Sequence, residues 1–333
     1  MKSTRAIIAL SLALISAPVY AGEVDIFALR NQHPFLHVYG LPPMQSATLG
    51  QKGAIDYGVT FTLVNNSEIK DSDTESIRLD GESYFADFAL RSRVLDRLEL
   101  GVVVPLVKHS PGVLDDAIVT WHDIWGMSNS KRNGPANELN YFYANNGSIG
   151  EQLSASTSGI GDVQLSAAIP LVENGEGWPR HMTLRFSVKL PTGDSADLHG
   201  SGAVDAALGF YAEDSRQLLG RDLGYMGFAG IVALGDGDIL AEQQKSAVPY
   251  GGLAATWHAT DRFRVTGQLQ AQGAYIDSDL DELGGSSIQL SVGGVYHLSR
   301  HGVSLRFALV EDVISDAMPD FAVHFAVHVS GKH

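Results

Sequence analysis

The sequence predicts an all-β fold, a transmembrane antiparallel β-barrel of about twelve strands. Many segments alternate between apolar and polar side chains, which is the period of a β-strand. Very short connections alternate with longer loops rich in Asp, Ser and Gly, as in barrels of the outer membrane. Basic side chains lie in mid-segment on the polar side, where a barrel encloses a wet or salt-bridged interior. Helical periodicity is nearly absent, which disfavours α/β enzyme folds.

Composition excludes several functional classes. The chain of 333 residues has 38 acidic and 23 basic residues and a formal net charge of −15, a poor match for nucleic acid. It has no cysteine, which removes disulfides, thiolate metal sites and thiol nucleophiles. A hydrophobic fraction of 44% excludes a disordered chain, and a charged fraction of 18% is low, as expected of a protein with a lipid-facing belt.

Residues 1–21 are predicted to be a cleaved signal peptide. Lys2 and Arg5 precede an apolar stretch from Ala6 to Val19, and Ala21 supplies a small residue at the cleavage position. Together with the barrel pattern, this predicts export to the outer membrane of a Gram-negative bacterium.

The barrel is predicted to occupy residues 53–333. In its clearest strand, Val265 and Leu269 alternate with Arg264, Gln268 and Gln270. The predicted strands are 53–65, 77–94, 96–107, 161–172, 181–191, 202–211, 223–235, 247–258, 261–277, 286–299, 302–311 and 320–329. Tight turns are expected at residues 95–96, 259–260 and 300–301, and the connections at 173–180 and 213–222 are expected to be longer.

A soluble β-sandwich is the competing interpretation. Its strands also alternate, but its apolar side faces a protein core and its charged side faces solvent. The two folds therefore differ in where the charged side chains point. A barrel places them inside, and strand length together with the alternation of turns and loops favours the barrel.

Two segments interrupt the strand pattern. Residues 22–52 are predicted to be either a periplasmic segment or a plug. Residues 108–160 form the longest loop, in which helical spacing predicts a short amphipathic helix. This loop is either a lid over the mouth of the barrel or a loop that packs on itself. Its candidate gating residues are Leu114, Ile118, Trp121, Trp125, Tyr141 and Tyr143.

Three glycine-rich motifs resemble those of known outer-membrane barrels. They begin at Gly159-Ile160-Gly161-Asp162, at Lys189-Leu190-Pro191-Thr192-Gly193-Asp194 and at Gly200-Ser201-Gly202. These motifs resemble barrels associated with meta-pathway phenol degradation. Arg30-Asn31-Gln32-His33-Pro34 and the loop from Leu114 to Gly126 more closely resemble a family of uncharacterised proteobacterial outer-membrane proteins, over nearly the whole chain after residue 21. The closer resemblance implies an outer-membrane barrel and supplies no substrate, whereas the looser one implies transport.

A barrel of this width has a narrow or plugged interior, intermediate between filled eight-stranded barrels and open porins. We therefore predict a narrow or gated channel for small molecules, which could include apolar ones. The alternatives are a lipid-modifying enzyme of the outer membrane and a closed barrel with a structural or surface-interaction role. Candidate residues lining the interior are Asp87, Glu99, Arg185, Lys189, Arg262, Arg264, Gln268, Gln270, Arg306, His324 and His328.

The sequence offers little for enzymatic chemistry. His297 and Ser299 share a strand side, but no residue is visibly placed to orient the imidazole, so an enzyme is the less favoured interpretation. His324 and His328 would stand about 13 Å apart on a strand, too far for one ion. No catalytic residue, metal or cofactor is predicted. The expected partners are outer-membrane lipid, lipopolysaccharide, the outer-membrane assembly machinery and a small-molecule solute.

Overall fold

The structure, a computed structural model, describes residues 24–114, 120, 138–298, 302–314 and 321–331. These ranges contain fifteen strands and the short helix α1 (Asp281–Gly284). The strands are β1 (Ile55–Asp71), β2 (Glu75–Leu95), β3 (Leu98–Ser110), β4 (Asn140–Asn145), β5 (Ser148–Leu153), β6 (Thr157–Ile160), β7 (Gln164–Val172), β8 (His181–Lys189), β9 (Asp205–Leu218), β10 (Arg221–Ala233), β11 (Ala247–Trp257), β12 (Phe263–Gln272), β13 (Ser287–Leu298), β14 (Val303–Ile314) and β15 (Phe321–Val329). No helix within the described residues is long and apolar enough to cross a bilayer.

Twelve strands, β1–β3 and β7–β15, form a closed antiparallel barrel. The barrel closes where β1 pairs with β15, from Tyr57 opposite Val329 to Asn65 opposite Phe321. The β4–β5 hairpin pairs with the first residues of β2, and β6 pairs with the end of β3. The prediction of an all-β barrel of about twelve strands is confirmed.

The two faces of the barrel wall have opposite chemistry. On β12, Val265 and Leu269 are exposed, whereas Thr266, Gln268 and Gln270 are buried inside. The same inversion recurs around the barrel, with large apolar side chains such as Phe61, Phe186 and Phe325 pointing outward. An apolar exterior and a polar interior are expected for strands that face hydrocarbon, because water is absent outside. The sandwich alternative is therefore wrong.

The two ends of the barrel differ in the length of their connections. At the short-turn end, β2 joins β3 through residues 96–97, and β9 joins β10 through Leu219 and Gly220. At the opposite, long-loop end lie the connections 111–163, 190–204, 234–246 and 273–286. Short turns at one end and long loops at the other are typical of outer-membrane barrels, with the short turns on the periplasmic side.

One expectation about connections is wrong. The segment 213–222 is almost entirely strand, because β9 extends to Leu218 and a two-residue turn with positive φ at Leu219 and Gly220 starts β10. The region 108–160, predicted to be the longest loop, contains β4, β5 and β6. The helix expected after Leu114 falls largely on residues 115–119 and 121–137, outside the described residues.

Placing a charge on the outer face should destabilise the barrel strongly. Val292 lies in the middle of β13 with 49% of its surface exposed. We expect V292R to lower the free energy of unfolding in lipid by about 2–4 kcal/mol, because the guanidinium would face hydrocarbon near the bilayer midplane. Urea-induced unfolding in vesicles, followed by tryptophan fluorescence, measures the change.

L219R is the matched control for this substitution. Leu219 is an exposed apolar residue in the β9–β10 turn, where arginine would remain in water and should cost no more than about 1 kcal/mol. Equal losses in the two variants would contradict a lipid-facing outer wall.

Candidate functional site

The interior of the barrel is occupied by residues 24–50 of the segment 24–52, called the N-terminal segment below, whose last two residues are exposed at the short-turn rim. From Asp25 to Gln32 the segment runs along β12 and β13, and its main chain bonds to wall side chains instead of to another strand. The amide of Gln268 accepts a hydrogen bond from Phe27 N at 3.1 Å and donates one to Phe27 O at 3.0 Å. Further along, Gln270 donates to Leu29 O at 3.3 Å. Inward-facing glutamine side chains thus supply hydrogen-bond partners to a buried main chain that is not paired with any strand.

The N-terminal segment turns at the long-loop end and returns. Gly40 N donates to the Asp205 carboxylate at 2.8 Å, and the Tyr39 hydroxyl donates to Ile239 O at 2.8 Å. On the way back, Thr183 donates to Ala47 O. The segment therefore spans the interior twice, as a hairpin without strand pairing, before it enters β1.

Glu213 holds both arms of this hairpin near the short-turn end. Its carboxylate accepts from Val24 N at 2.9 Å on the outgoing arm and from Ala47 N at 3.0 Å on the returning arm. Ser46 Oγ donates to the same group at 2.5 Å. One buried carboxylate thus joins positions that are more than twenty residues apart in the chain.

A charged cluster surrounds Asp25 at the short-turn end. Its carboxylate lies 2.8 Å from Arg264 Nη1, 3.0 Å from His297 Nε2 and 3.5 Å from Arg306 Nη2. Burial opposes ionisation of Asp25, but the hydrogen bond from His297 and the charges of Arg306 and Arg264 outweigh it, so the pKa of this carboxyl lies below its usual range. Asp25 is therefore a buried anion held by three wall residues.

A second buried ion pair joins two wall residues. Arg185 Nη1 lies 3.1 Å from Glu99, and both side chains are at most 6% exposed. The same guanidinium group donates to Gln45 Oε1 at 2.8 Å, and Glu99 accepts from Gly50 N at 3.0 Å. This pair thus supports the returning arm of the N-terminal segment.

The glycine-rich motifs converge at the long-loop end. Lys189 Nζ lies 2.6 Å from Asp162 and 3.3 Å from Asp205, and it donates to Ser201 Oγ. All four residues are at most 5% exposed. Because Asp205 also binds Gly40 N, this cluster connects the apex of the N-terminal segment to three separate parts of the wall and loops.

Aromatic side chains fill the interior toward the long-loop end. Tyr39 of the N-terminal segment stacks on Tyr275 with ring centroids 5.2 Å apart, and Tyr211 stacks on Phe228 at 5.1 Å. Buried apolar residues of the segment, including Phe35, extend the same core. The interior is therefore aromatic and apolar from its middle toward the long-loop end, apart from the cluster around Lys189 there, and charged at the short-turn end.

Three histidines pack together near the long-loop end. The rings of His37 and His109 lie 5.5 Å apart, and those of His109 and His199 lie 5.9 Å apart. Burial lowers the pKa of His199, which favours the neutral ring in this stack. Among the described residues, no group of three or more His, Asp or Glu side chains is positioned to hold a metal ion.

The structure places most of the predicted interior residues on the inner face of the wall. The buried or half-buried ones are Asp87, Glu99, Arg185, Lys189, Arg264, Gln268, Gln270, Arg306, His324 and His328. Asp87 pairs with Arg30 of the N-terminal segment at 2.8 Å. The placement of Arg262 inside is wrong, because β12 begins only at Phe263 and Arg262 is exposed in the preceding turn.

The candidate gating residues are only partly described. Tyr141 and Tyr143 lie in β4 and are buried, and Tyr143 donates to Glu75 at 2.6 Å. Leu114 N donates to Glu82 at 2.7 Å. Ile118, Trp121 and Trp125 lie outside the described residues.

His297, considered above as part of an enzymatic pair, contacts Asp25 instead. Ser299 lies outside the described residues.

Sequence reasoning did not identify Asp25, Asp162, Asp205 or Glu213. Asp205 and Glu213 alternate in phase with Tyr211 on the inner face of β9; Asp205 lies inside the predicted strand 202–211, whereas Glu213 lies beyond its end and would have been found only with a longer strand. Asp25 precedes the first strand, and no local pattern indicates its partners, which are more than 230 residues away.

Comparison with known proteins supports the barrel. A model of the family described as "Protein of unknown function (DUF3187)" matches residues 4–329. No curated protein matches the sequence. The COG4313 outer membrane channel of Pseudomonas putida F1 superimposes with a TM-score of 0.56 at 14% identity, covering 87% of this chain and 100% of that one. This likeness shows the fold, which is that of outer-membrane proteins of Gram-negative bacteria.

Two further solved structures are similar at a lower level. The NanC porin gives a TM-score of 0.46 at 8% identity, covering 84% of this chain and 100% of that one. The toluene transporter TodX of Pseudomonas putida gives 0.37 at 7% identity, covering 92% and 98%. These three proteins are described as a channel, a porin and a transporter, and the two lower scores support no further inference.

Breaking the wall ion pair should be costly. We expect E99Q to lower the free energy of unfolding by about 3–5 kcal/mol, because it leaves the buried Arg185 charge without its carboxylate. Chemical denaturation in detergent micelles measures the loss.

E173Q is the control for this experiment, since Glu173 pairs with Arg93 at the more exposed short-turn rim. It should cost less than about 1 kcal/mol. A loss in E99Q no larger than that in E173Q would show that Glu99 does not stabilise the interior.

Proposed function

The chain belongs to the family described as "Protein of unknown function (DUF3187)", and we propose that its barrel is a gated channel for small molecules that the N-terminal segment closes. The observation that carries this proposal is the occupation of the interior by residues 24–50 through contacts with wall side chains. No barrel strand is replaced by the segment. Its withdrawal would therefore leave the wall intact.

The chemistry of these contacts supports movement of the N-terminal segment. Gln270 and Thr183 bind its main chain through one side-chain hydrogen bond each, and Gln268 through two. Water can form equivalent hydrogen bonds with the same groups once the interior is wetted. The wall can therefore bind either the segment or water. A barrel with a purely structural role does not require a wall that suits both.

The long-loop end supplies a second closure. Tyr143 of β4 donates to Glu75 and also bonds to Gln243 at 2.8 Å, and Leu240 N donates to Glu151 of β5 at 3.1 Å. The β4–β5 hairpin is thereby connected to the loop 234–246. We assign Tyr141 and Tyr143 to a gate at this end, with the N-terminal segment as the inner barrier.

The aromatic lining indicates the solutes that would enter. Tyr211 and Phe228 line the middle of the interior, Tyr250 lies nearer the long-loop end, and all three are at most 7% exposed. Aromatic side chains favour contact with apolar groups. The channel would therefore admit small molecules that carry an apolar or aromatic part.

In this proposal the barrel lies in the outer membrane with its long loops outside the cell. Residues 1–21 would direct export and be removed. The exposed apolar belt would contact outer-membrane lipid, the long loops would face lipopolysaccharide, and the assembly machinery would insert the barrel. The belt on the outer wall supports this orientation.

Locking the N-terminal segment should close the channel. The natural sequence has no cysteine, so A47C with T183C places a single thiol pair where Thr183 bonds to Ala47. Oxidation to the disulfide should suppress flux of a neutral solute such as benzamide into proteoliposomes, and reduction should restore it.

E213Q should have the opposite effect, since it removes the anion that accepts hydrogen bonds from both arms of the segment. We expect flux above that of the natural protein. The single variants A47C and T183C, treated with the same oxidant, are the controls. Flux that is absent in every variant, reduced or oxidised, would refute the channel.

A further inference from the structure

We propose that Arg264, His297 and Arg306 form a binding site for the carboxylate of a transported organic acid, and that Asp25 occupies this site while the channel is closed. The inference rests on the proposed function and specifies its solute class. Asp25 is then an internal mimic of the solute, carried by the same segment that blocks the interior.

The site is built from neighbouring strands of the wall. Arg264, His297 and Arg306 lie on β12, β13 and β14, and all three reach the Asp25 carboxylate within 3.5 Å. Asp25 is 4% exposed. Arg264 and His297 hydrogen-bond this carboxylate and Arg306 forms an ion pair with it, and charge-assisted contacts of this kind are among the strongest available to such a group.

This site differs from those of the other buried cations in where the acidic partner lies in the chain. Arg185 pairs with Glu99 of β3, and Lys189 pairs with Asp162 and Asp205, so these cations keep their partners whatever the N-terminal segment does. Arg264 and Arg306 pair with a carboxylate that belongs to the segment. When the segment withdraws, the two guanidinium groups stay on the wall and Asp25 leaves.

The carboxylate of Asp87, on the barrel wall, does not replace Asp25 when the segment withdraws. Asp87 loses Arg30 when the segment withdraws. It lies at the same level of the barrel as Arg306, because Asp87 is opposite Thr60, Thr60 is opposite Ala326 and Ala326 is opposite Arg306 in the strand pairing. Three strand spacings separate the two backbones, about 14 Å at ~4.8 Å per strand. The short Asp87 side chain does not bridge that separation.

An anionic solute is therefore the natural occupant of the open state. Once the segment withdraws, Arg306 faces a wetted interior without Asp25 and Ile26 O, and a solute carboxylate can take the position that Asp25 has in the closed state. The aromatic interior lies between this site and the long-loop end. The two regions together fit a small acid with an apolar body, and the carboxylate is the group that the site recognises.

Flux of benzoate and of its uncharged analogue benzamide tests the site. In full-length D25N, residue 25 keeps its shape but loses its charge. We expect benzoate flux through this variant to exceed benzamide flux by roughly tenfold, because a positive site concentrates anions. Adding R306Q to D25N should bring the ratio of the two fluxes close to one.

R221Q in the D25N background is the matched control, since Arg221 is exposed at the same end of the barrel and pairs with Asp261. It should leave the flux ratio unchanged. Heat-dependent mobility on gels confirms that each variant is folded before its flux is compared.

A second measurement needs no variant. In the natural protein, benzoate should compete with Asp25 and accelerate amide hydrogen exchange in residues 24–32, whereas benzamide should not. Benzoate and benzamide that cross D25N equally, with no effect of R306Q and no benzoate-specific exchange, would overturn the carboxylate site and leave the channel standing. If neither solute crosses any variant, including E213Q, the channel itself fails.

Discussion

The polar inner wall of the barrel needs hydrogen-bond partners, and the rest of the structure depends on how that need is met. Strands in a bilayer satisfy their backbone through each other, but their inward side chains face an enclosed space. Here the N-terminal segment supplies the partners. Gln268 bonds to both the amide and the carbonyl of Phe27, and Glu213 binds both arms of the segment. In this structure the segment satisfies buried Gln, Thr and charged groups of the wall, a role that water would take over if the segment withdrew.

The interior is divided along its axis into two regions of different chemistry. Near the short-turn end, charged groups hold the segment through Asp25 and Glu213. Near the long-loop end, aromatic packing of Tyr39 against Tyr275 holds it together with the hydrogen bond from Gly40 N to Asp205. Charge-assisted bonds tolerate exchange for water or an ionic solute, whereas aromatic packing excludes water. In the proposed channel, these two regions would offer an amphipathic solute both polar and apolar contacts.

The glycine-rich motifs acquire a physical role in this arrangement. Asp162, Lys189 and Asp205 belong to three motifs that are distant in sequence, and they meet in one buried cluster. Glycine is required beside them because a side chain at Gly200 would overlap the Asp162 carboxylate, its Cβ lying 2.2 Å from an oxygen. Asp205 also binds Gly40 of the N-terminal segment. The motifs therefore join the loops of the long-loop end to the apex of the segment.

The sequence alone determined the strand number, the direction in which side chains face and most of the interior residues. Alternation along a strand is a local property, so Arg264, Gln268 and Arg306 could be assigned to the inner face from their own neighbours. Only the tertiary structure decided which groups meet. Asp25 lies in a segment without periodicity, and its partners on β12, β13 and β14 are more than 230 residues away in the chain. Closure of the barrel brings them together, and no local pattern encodes such contacts.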